Sequence, residues 1–145
     1  MGIDDLLAAL DGSGSTSEWH AVAELRKRDD FPALLLRKFR SARAWKARSS
    51  CVFHAIRYGR ESDDAIAIGK GALTDRAKVV RYRGCSLLAF SLRKEVLPVL
   101  RDALAGTRDV EGIADLKAAI DAIESGNHNL FLDRDHTGMV VWEVR

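Results

Sequence analysis

Residues 76–104 read RAKVVRYRGCSLLAFSLRKEVLPVLRDAL, and this stretch decides the fold class. Apolar residues recur every three or four positions on both sides of Leu92, which is the spacing of two amphipathic helices. Pro98 stands near the expected first turn of the second helix, where its missing N–H removes no hydrogen bond. Because only a few residues separate the two helices, we expect them to pack antiparallel.

Most of the remaining chain shows the same helical spacing. Further helices are predicted over about residues 17–28, 31–39, 43–58, 62–73 and 109–125, with a short helix at the N terminus. Three helix starts, at Arg43, Arg76 and Asp109, lie 33 residues apart. We therefore interpret residues 17–125 as a degenerate repeat of helix pairs, preceded by a helix and a flexible link over residues 1–16.

The helix pair of residues 76–104 resembles the HEAT-repeat family. The resemblance rests on a Val-Arg dipeptide, on a pair of small residues and on apolar residues in both helices. These residues are Val80, Arg81, Gly84, Cys85, Leu87, Leu88, Ala89, Val96, Leu97, Leu100 and Leu104. It implies a short α-solenoid in which antiparallel helix pairs stack into one continuous core. It implies no particular activity, because HEAT-like proteins share a scaffold and differ in what they bind.

The helical pattern stops near the C terminus. Residues 129–132 and 139–144 form short apolar or alternating runs around the sequence DRDHTG of residues 133–138. This arrangement is typical of a β-hairpin whose glycine supplies the positive φ. We predict a C-terminal β-hairpin over residues 126–145 that caps the solenoid. Residues 1–145 are thus expected to form one all-α domain with this hairpin at its end.

The composition is that of an ordinary globular protein. The chain has 145 residues, of which 47% are hydrophobic and 30% charged, with a net charge of +2. Its start has no basic segment before the apolar run, and no later run is long enough to cross a bilayer. We therefore expect a cytoplasmic protein without a membrane partner. Both cysteines fall within helical patterns, which favours buried, reduced thiols.

No pattern in the sequence predicts a catalytic site or a cofactor. The serines lack a nucleophile elbow, and the glycines form neither a P-loop nor a dinucleotide fingerprint. The sequence DRDHTG matches the first half of a calcium-binding loop, but Val141 and Val144 stand where later ligands are needed. His128 and His136 follow no zinc-ligand spacing. We expect a non-enzymatic protein without metal or cofactor, and keep a small metal-dependent hydrolase using this Asp/His loop as an alternative.

Basic residues are concentrated at one edge of the predicted repeat. The run from Arg37 to Arg48 contains no acid, and further basic residues stand one repeat later. Stacking of the helix pairs would bring the two groups to the same edge, as a surface for an acidic protein or a phosphate backbone. The predicted partner-binding residues are Arg37, Arg40, Arg43, Lys46, Arg81 and Arg83, together with Asp133, Arg134, Asp135 and His136 of the C-terminal loop.

The leading functional hypothesis is a protein–protein interaction module that binds and occludes a partner, because a solenoid offers a long preorganised surface. Its oligomeric state stays open. The resemblance extends to compact bacterial immunity-type and adaptor proteins, which would make the chain an inhibitor or an adaptor. The alternative is a nucleic-acid-binding protein of the HEAT-like kind, similar to DNA glycosylases that grip the backbone with basic helix edges.

Overall fold

The computed structural model describes residues 2–145, and it confirms the prediction that the chain is helical. These residues form eight α-helices: α1 (Ile3–Ala8), α2 (Thr16–Leu25), α3 (Phe31–Ser41), α4 (Trp45–Ala55), α5 (Asp63–Ala72), α6 (Lys78–Ser91), α7 (Leu97–Gly106) and α8 (Val110–Ser125). Three 3₁₀ turns follow α4, precede α7 and follow α8, at Ile56–Tyr58, Lys94–Val96 and His128–Phe131. No helix within residues 2–145 combines the length and the apolar character needed to span a bilayer.

Several helix ends follow from local hydrogen bonding. The hydroxyl of Ser62 accepts the amide N–H of Ala65 at the start of α5, and the carboxylate of Asp109 accepts the amide N–H of Gly112 at the start of α8. At the other end, α8 stops at Gly126, whose φ of 66° is left-handed. These caps leave only short connections, so that the chain reverses direction between consecutive helices.

The helices α4, α6 and α8 form a row that we call the front layer. Within it α4 packs on α6 and α6 packs on α8, while α3 and α5 lie against α4 and α6, and α7 lies against α8. One helix runs back between successive members of the row, so their N-terminal ends lie at the same edge. The core is one continuous apolar cluster that includes the fully buried side chains of Leu35, Val52, Ile68, Leu88 and Ile123.

The contact between α5 and α6 depends on two glycines. A Cβ at Gly84 would lie 2.7 Å from the Cβ of Ala72 and 3.1 Å from the carbonyl oxygen of Gly69. A Cβ at Gly69 would lie 2.8 Å from a methyl carbon of Leu88. The two helices therefore approach more closely than any larger residue at these positions would allow.

The link between α1 and α2 is fastened by a buried carboxylate. Glu18 accepts the amide N–H groups of Gly12 at 2.8 Å and Gly14 at 2.9 Å, and the hydroxyl of Ser50 at 2.7 Å. Because Ser50 belongs to α4, one side chain joins the link, α2 and the front layer. These three hydrogen bonds satisfy a charge that would otherwise be costly to bury.

The predicted C-terminal β-hairpin is wrong, since residues 126–145 contain no strand. The first half of this segment is a 3₁₀ turn capped by the side chain of Asn127. The carboxylate of Asp133 then accepts the amide N–H groups of Thr137 at 2.9 Å and Gly138 at 2.8 Å. The carboxylate of Asp133 thus holds residues 133–138 as a local turn, and no strand pairing follows it.

Residues 139–145, which we call the tail, run as an extended segment over the front layer. The amide N–H of Trp142 donates to Oδ1 of Asn129 at 2.8 Å. Arg60 donates to Nδ1 of His128, so the proton of this imidazole is on Nε2, which donates to the carbonyl of Trp142 at 2.8 Å. Trp142 and Val144 pack on the core, and their neighbours are exposed. The alternation that predicted a strand comes from an extended chain docked on helices.

Candidate functional site

The turns that lead into α4, α6 and α8 carry a group of exposed cations, which we call the basic edge. Its members are Arg40, Arg43, Lys46, Arg76, Lys78 and Arg108. Among residues 2–145, only Lys78 of this group has a carboxylate within 4.0 Å, that of Asp109 at 3.7 Å. The other five cations have no such partner in the described part of the chain, so the charge of the edge is largely uncompensated by acidic side chains.

Arg48 holds the first turn of the basic edge against the second. Its guanidinium donates to both carboxylate oxygens of Asp75, at 2.7 and 3.0 Å, and to the carbonyl of Arg43 at 2.6 Å. Burial acts to raise the pKa of Asp75, but hydrogen bonds from Arg48 and from the amide N–H of Ala77 outweigh it, and the pKa is lowered. Asp75 is therefore ionised at neutral pH, and the pair is a charged, bidentate brace.

Arg81 forms a matching brace between the second turn and the third. It donates to the carbonyls of Asp75 at 2.7 Å and Arg76 at 3.0 Å, and it lies 3.8 Å from the carboxylate of Asp109. Arg48 and Arg81 are 33 residues apart, and each binds the carbonyl five residues before it. The two arginines link the three turns that display the exposed cations.

The predicted cationic residues of the helices fall into four groups in the structure. Arg40, Arg43 and Lys46 are exposed at the basic edge, whereas Arg37 pairs with Asp4 at 3.1 Å. Arg81 is a brace. Arg83 is half-buried on the front layer, where it donates to the carbonyl of Ser49 at 3.1 Å and lies 4.8 Å from the ring centre of Phe53. The list that follows from the sequence therefore mixes surface charges with structural ones.

The C-terminal loop is fastened to α8 rather than free. Arg134 pairs with Asp115 at 3.0 Å, and His136 pairs with Asp121 at 2.6 Å, while Asp135 is exposed. Asp133 is buried; the amide N–H of Thr137 and the other hydrogen bonds to its carboxylate lower its pKa. Residues 2–145 contain no group of three or more His, Cys, Asp or Glu side chains arranged to hold a metal ion.

Both cysteine thiols lie buried, as predicted. Burial raises the pKa of Cys51 and that of Cys85 to about 12. The thiols are therefore protonated at neutral pH, and since the thiolate is the nucleophilic form, neither has the character of a catalytic cysteine.

A second surface, which the sequence analysis missed, lies between α2, α4 and the tail. We call it the aromatic cleft; it has a volume of about 380 Å³ and is lined by Trp19, Arg26, Phe53, Ile56 and residues 142–145. Trp19 is 46% exposed and Phe53 is 41% exposed, and their rings meet edge to face with centres 6.3 Å apart. Large aromatic side chains with this exposure are typical of binding surfaces.

Two polar groups beside the aromatic cleft have no partner among the described residues. Nε of Arg26 is buried without an acceptor, although the same guanidinium donates to the carbonyl of Arg145 at 3.1 Å. His54 is buried against the ring of Trp19, and its Nδ1 is also unpartnered. Burial lowers the pKa of His54 to about 4, so the imidazole is neutral at pH 7. The charge beside the cleft is therefore carried by guanidinium groups.

Fold and surfaces together define the class: an all-α protein with two exposed candidate binding surfaces, the basic edge and the aromatic cleft. Comparisons of the chain with protein-family models, with curated proteins and with solved structures found no match in any of the three. The HEAT-like resemblance and the function are therefore argued from the residues themselves.

Proposed function

We propose that this protein is a non-catalytic protein-interaction module that binds an acidic surface of a partner through the basic edge. The observation that carries the proposal is that Arg40, Arg43, Lys46, Arg76 and Arg108 are exposed with no carboxylate within 4.0 Å among residues 2–145. Unpaired cations at helix N-terminal ends attract carboxylates from a partner and raise the association rate.

Two further features support a binding role for this edge. The braces of Arg48 and Arg81 fix the turns before a partner arrives, so less conformational entropy is lost on binding. Trp45 is exposed beside Lys46, whose ammonium lies 5.8 Å from the ring centre. An exposed tryptophan among cations gives the surface an apolar anchor of the kind that dominates binding energy at interfaces.

The same proposal includes a HEAT-like arrangement of the helix pairs. Arg48 and Arg81 stand 33 residues apart and make equivalent bonds, which is the behaviour expected of corresponding positions in a structural repeat. The braces of Arg48 and Arg81 hold the exposed cations in fixed positions. This arrangement fits an inhibitor or adaptor role, in which the basic edge covers an acidic functional surface of another protein.

A capture experiment with matched variants tests the proposal. The edge variant carries Arg40→Glu, Arg43→Glu and Lys46→Glu, and the control variant carries Lys27→Glu, Lys94→Glu and Lys117→Glu, which are exposed away from the basic edge and make the same change in charge. Arg43→Glu and Lys46→Glu place acids at the N-terminal end of α4, where they complement its dipole, whereas Arg40→Glu places one in the last turn of α3; circular dichroism checks that the edge variant is folded.

From a lysate of the source, the wild type and the control variant should capture the same protein, and the edge variant should bind it at least about tenfold more weakly. Equal capture by all three proteins would place the binding surface elsewhere.

Nucleic acid is the second candidate for the same edge. Arg43, Arg76 and Arg108 each precede a helix of the front layer, and arginines next to helix N-terminal ends suit phosphate groups. If this candidate is right, a generic duplex should bind the wild type with an affinity that falls steeply with salt, and it should bind the edge variant weakly. Absence of duplex binding at low salt would leave the acidic protein as the partner.

A further inference from the structure

The aromatic cleft has one apolar side and is large enough for a side chain. Trp19 and Phe53 form this side together with Ile56, and the tail closes the opposite side with Trp142 and Val144. Its volume of about 380 Å³ is at the small end of the range for ligand pockets. An aromatic or large aliphatic side chain therefore fits, whereas a large cofactor does not.

The polar side of the cleft is positively charged. Arg26 lines this side. Its pKa is lowered mainly by burial and further by the nearby positive charge of Arg57. Arg83 lies over the ring of Phe53. Among residues 2–145, no Asp or Glu carboxylate lies within 4.0 Å of these three arginines; Glu143, the acid that lines the cleft, pairs with Arg145 at 3.3 Å, and Arg26 donates to the main-chain oxygen of Arg145 at 3.1 Å.

One buried acid, Glu18, lies near Arg83, but its carboxylate already accepts hydrogen bonds from other groups. Glu18 accepts hydrogen bonds from Gly12, Gly14 and Ser50, which hold it toward the link and α4. The Nε of Arg26 is buried and has no acceptor among the described residues, so a carboxylate that enters the cleft would pair with the outer nitrogens of this guanidinium.

We propose that the aromatic cleft is a second binding site, which takes an acidic peptide segment of a partner protein. A carboxylate of the segment pairs with Arg26, and a neighbouring aromatic or aliphatic side chain packs on Trp19 and Phe53. The tail forms the other wall, with Trp142 in contact with the bound segment. This site uses none of the basic-edge residues, so it can be tested independently of the function proposed for that edge.

The geometry favours a peptide over a single-stranded nucleic acid. Trp19 and Phe53 meet at an interplanar angle of 87°, so they do not present parallel faces on which successive bases would stack. The tail next to the cleft already shows that an extended polypeptide docks on this face, since Asn129 and His128 bind the backbone of Trp142.

The three tryptophans provide a direct readout by nuclear magnetic resonance. Trp19 and Trp142 line the cleft, whereas Trp45 lies at the basic edge. The probe is the peptide acetyl-Glu-Glu-Phe-Glu-Glu-amide, and the matched probe has glutamine in place of each glutamate. Added to the isotope-labelled full chain, the acidic probe should shift the indole N–H signals of Trp19 and Trp142. Binding at the basic edge, which the proposed function also predicts for an acidic ligand, would shift Trp45 in addition. The glutamine probe should shift none of them.

A matched pair of variants then tests the role of the guanidinium. Arg26→Gln should weaken binding of the acidic probe by about tenfold, because a charge-assisted hydrogen bond is lost. Lys27→Gln removes an exposed neighbouring charge and should leave binding unchanged. Melting temperatures of both variants check that the fold is intact.

Four results would overturn the proposal. One is no shift of Trp19 at probe concentrations up to about 1 mM. Another is binding that Arg26→Gln leaves unchanged. A shift of Trp45 alone would place acidic peptides at the basic edge, which supports the proposed function and rejects the cleft. Finally, an oligothymidylate that shifts Trp19 where the peptide does not would assign the cleft to nucleic acid.

Discussion

The brace between Arg48 and Asp75 gives the sharpest test of how the basic edge is held. The two side chains are only 12% and 8% exposed, and they share two hydrogen bonds. Arg48→Met keeps much of the apolar stem but leaves a buried carboxylate and the carbonyl of Arg43 without their donor. Breaking a buried pair in this way costs about 3–5 kcal/mol of unfolding free energy. For a chain of this length, the melting temperature should fall by about 10–16 °C.

A second substitution separates the charge pair from simple packing. Asp75→Asn in the Arg48→Met background removes the stranded charge, so the double variant should be more stable than Arg48→Met alone. The pH dependence has a definite sign. Because the pKa of Asp75 is lowered in the folded state, the stabilisation is complete above its ordinary pKa of 3.8 and is lost as the pH falls through the folded value. The difference between wild type and Arg48→Met should therefore shrink in acid.

Urea denaturation followed by circular dichroism measures these free energies. Arg28→Met is the control, because Arg28 and Asp30 form an exposed ion pair whose loss should cost less than about 1 kcal/mol. The reasoning would be refuted if Arg48→Met cost no more than this control. It would also be refuted if the losses of the two single substitutions simply added in the double variant.

Two further predictions concern the core. Gly84→Leu should cost about 3 kcal/mol or more in urea denaturation, because even a Cβ would lie 2.7 Å from that of Ala72, whereas Gly106→Ala, with no atom within 4 Å of the new methyl group, should be nearly neutral. The lowered pKa of His54 predicts a loss of about 3 kcal/mol as the pH falls from its ordinary pKa of 6.5 to about 4, since the unfolded state binds the proton first. His54→Phe should remove this loss, and an unchanged pH profile of unfolding would contradict the assignment.

The helices were predictable because their signals are local. The spacing of apolar residues and the caps at Ser62, Asp109 and Gly126 act within one or two turns, and the structure uses all three caps. The C-terminal segment was different. Its alternation of apolar and polar residues was interpreted as strands, but alternation does not say what an apolar side chain packs on. Trp142 and Val144 pack on helices, where a hairpin had been expected.

The basic edge was partly predictable, since the absence of acids between Arg37 and Arg48 leaves few local partners for its cations. The roles of Arg81 and Arg83 were not, because they depend on which neighbouring turn or helix each guanidinium reaches. The aromatic cleft was missed for a related reason. Trp19 and Phe53 have the same helical spacing as core residues, and periodicity does not distinguish a face that meets another helix from one that borders a groove.

Amide hydrogen exchange on the complex with the captured partner tests the central claim most directly. The turns that lead into α4, α6 and α8 lie outside helices, so we expect those of their amides that lack a hydrogen-bond acceptor to exchange faster than the helical amides in the free protein. If the basic edge binds the partner, exchange should slow in these three turns, around residues 42–44, 75–77 and 107–109. Unchanged exchange there, with slowing confined to the opposite edge or to the surface of α5 and α7, would contradict the account.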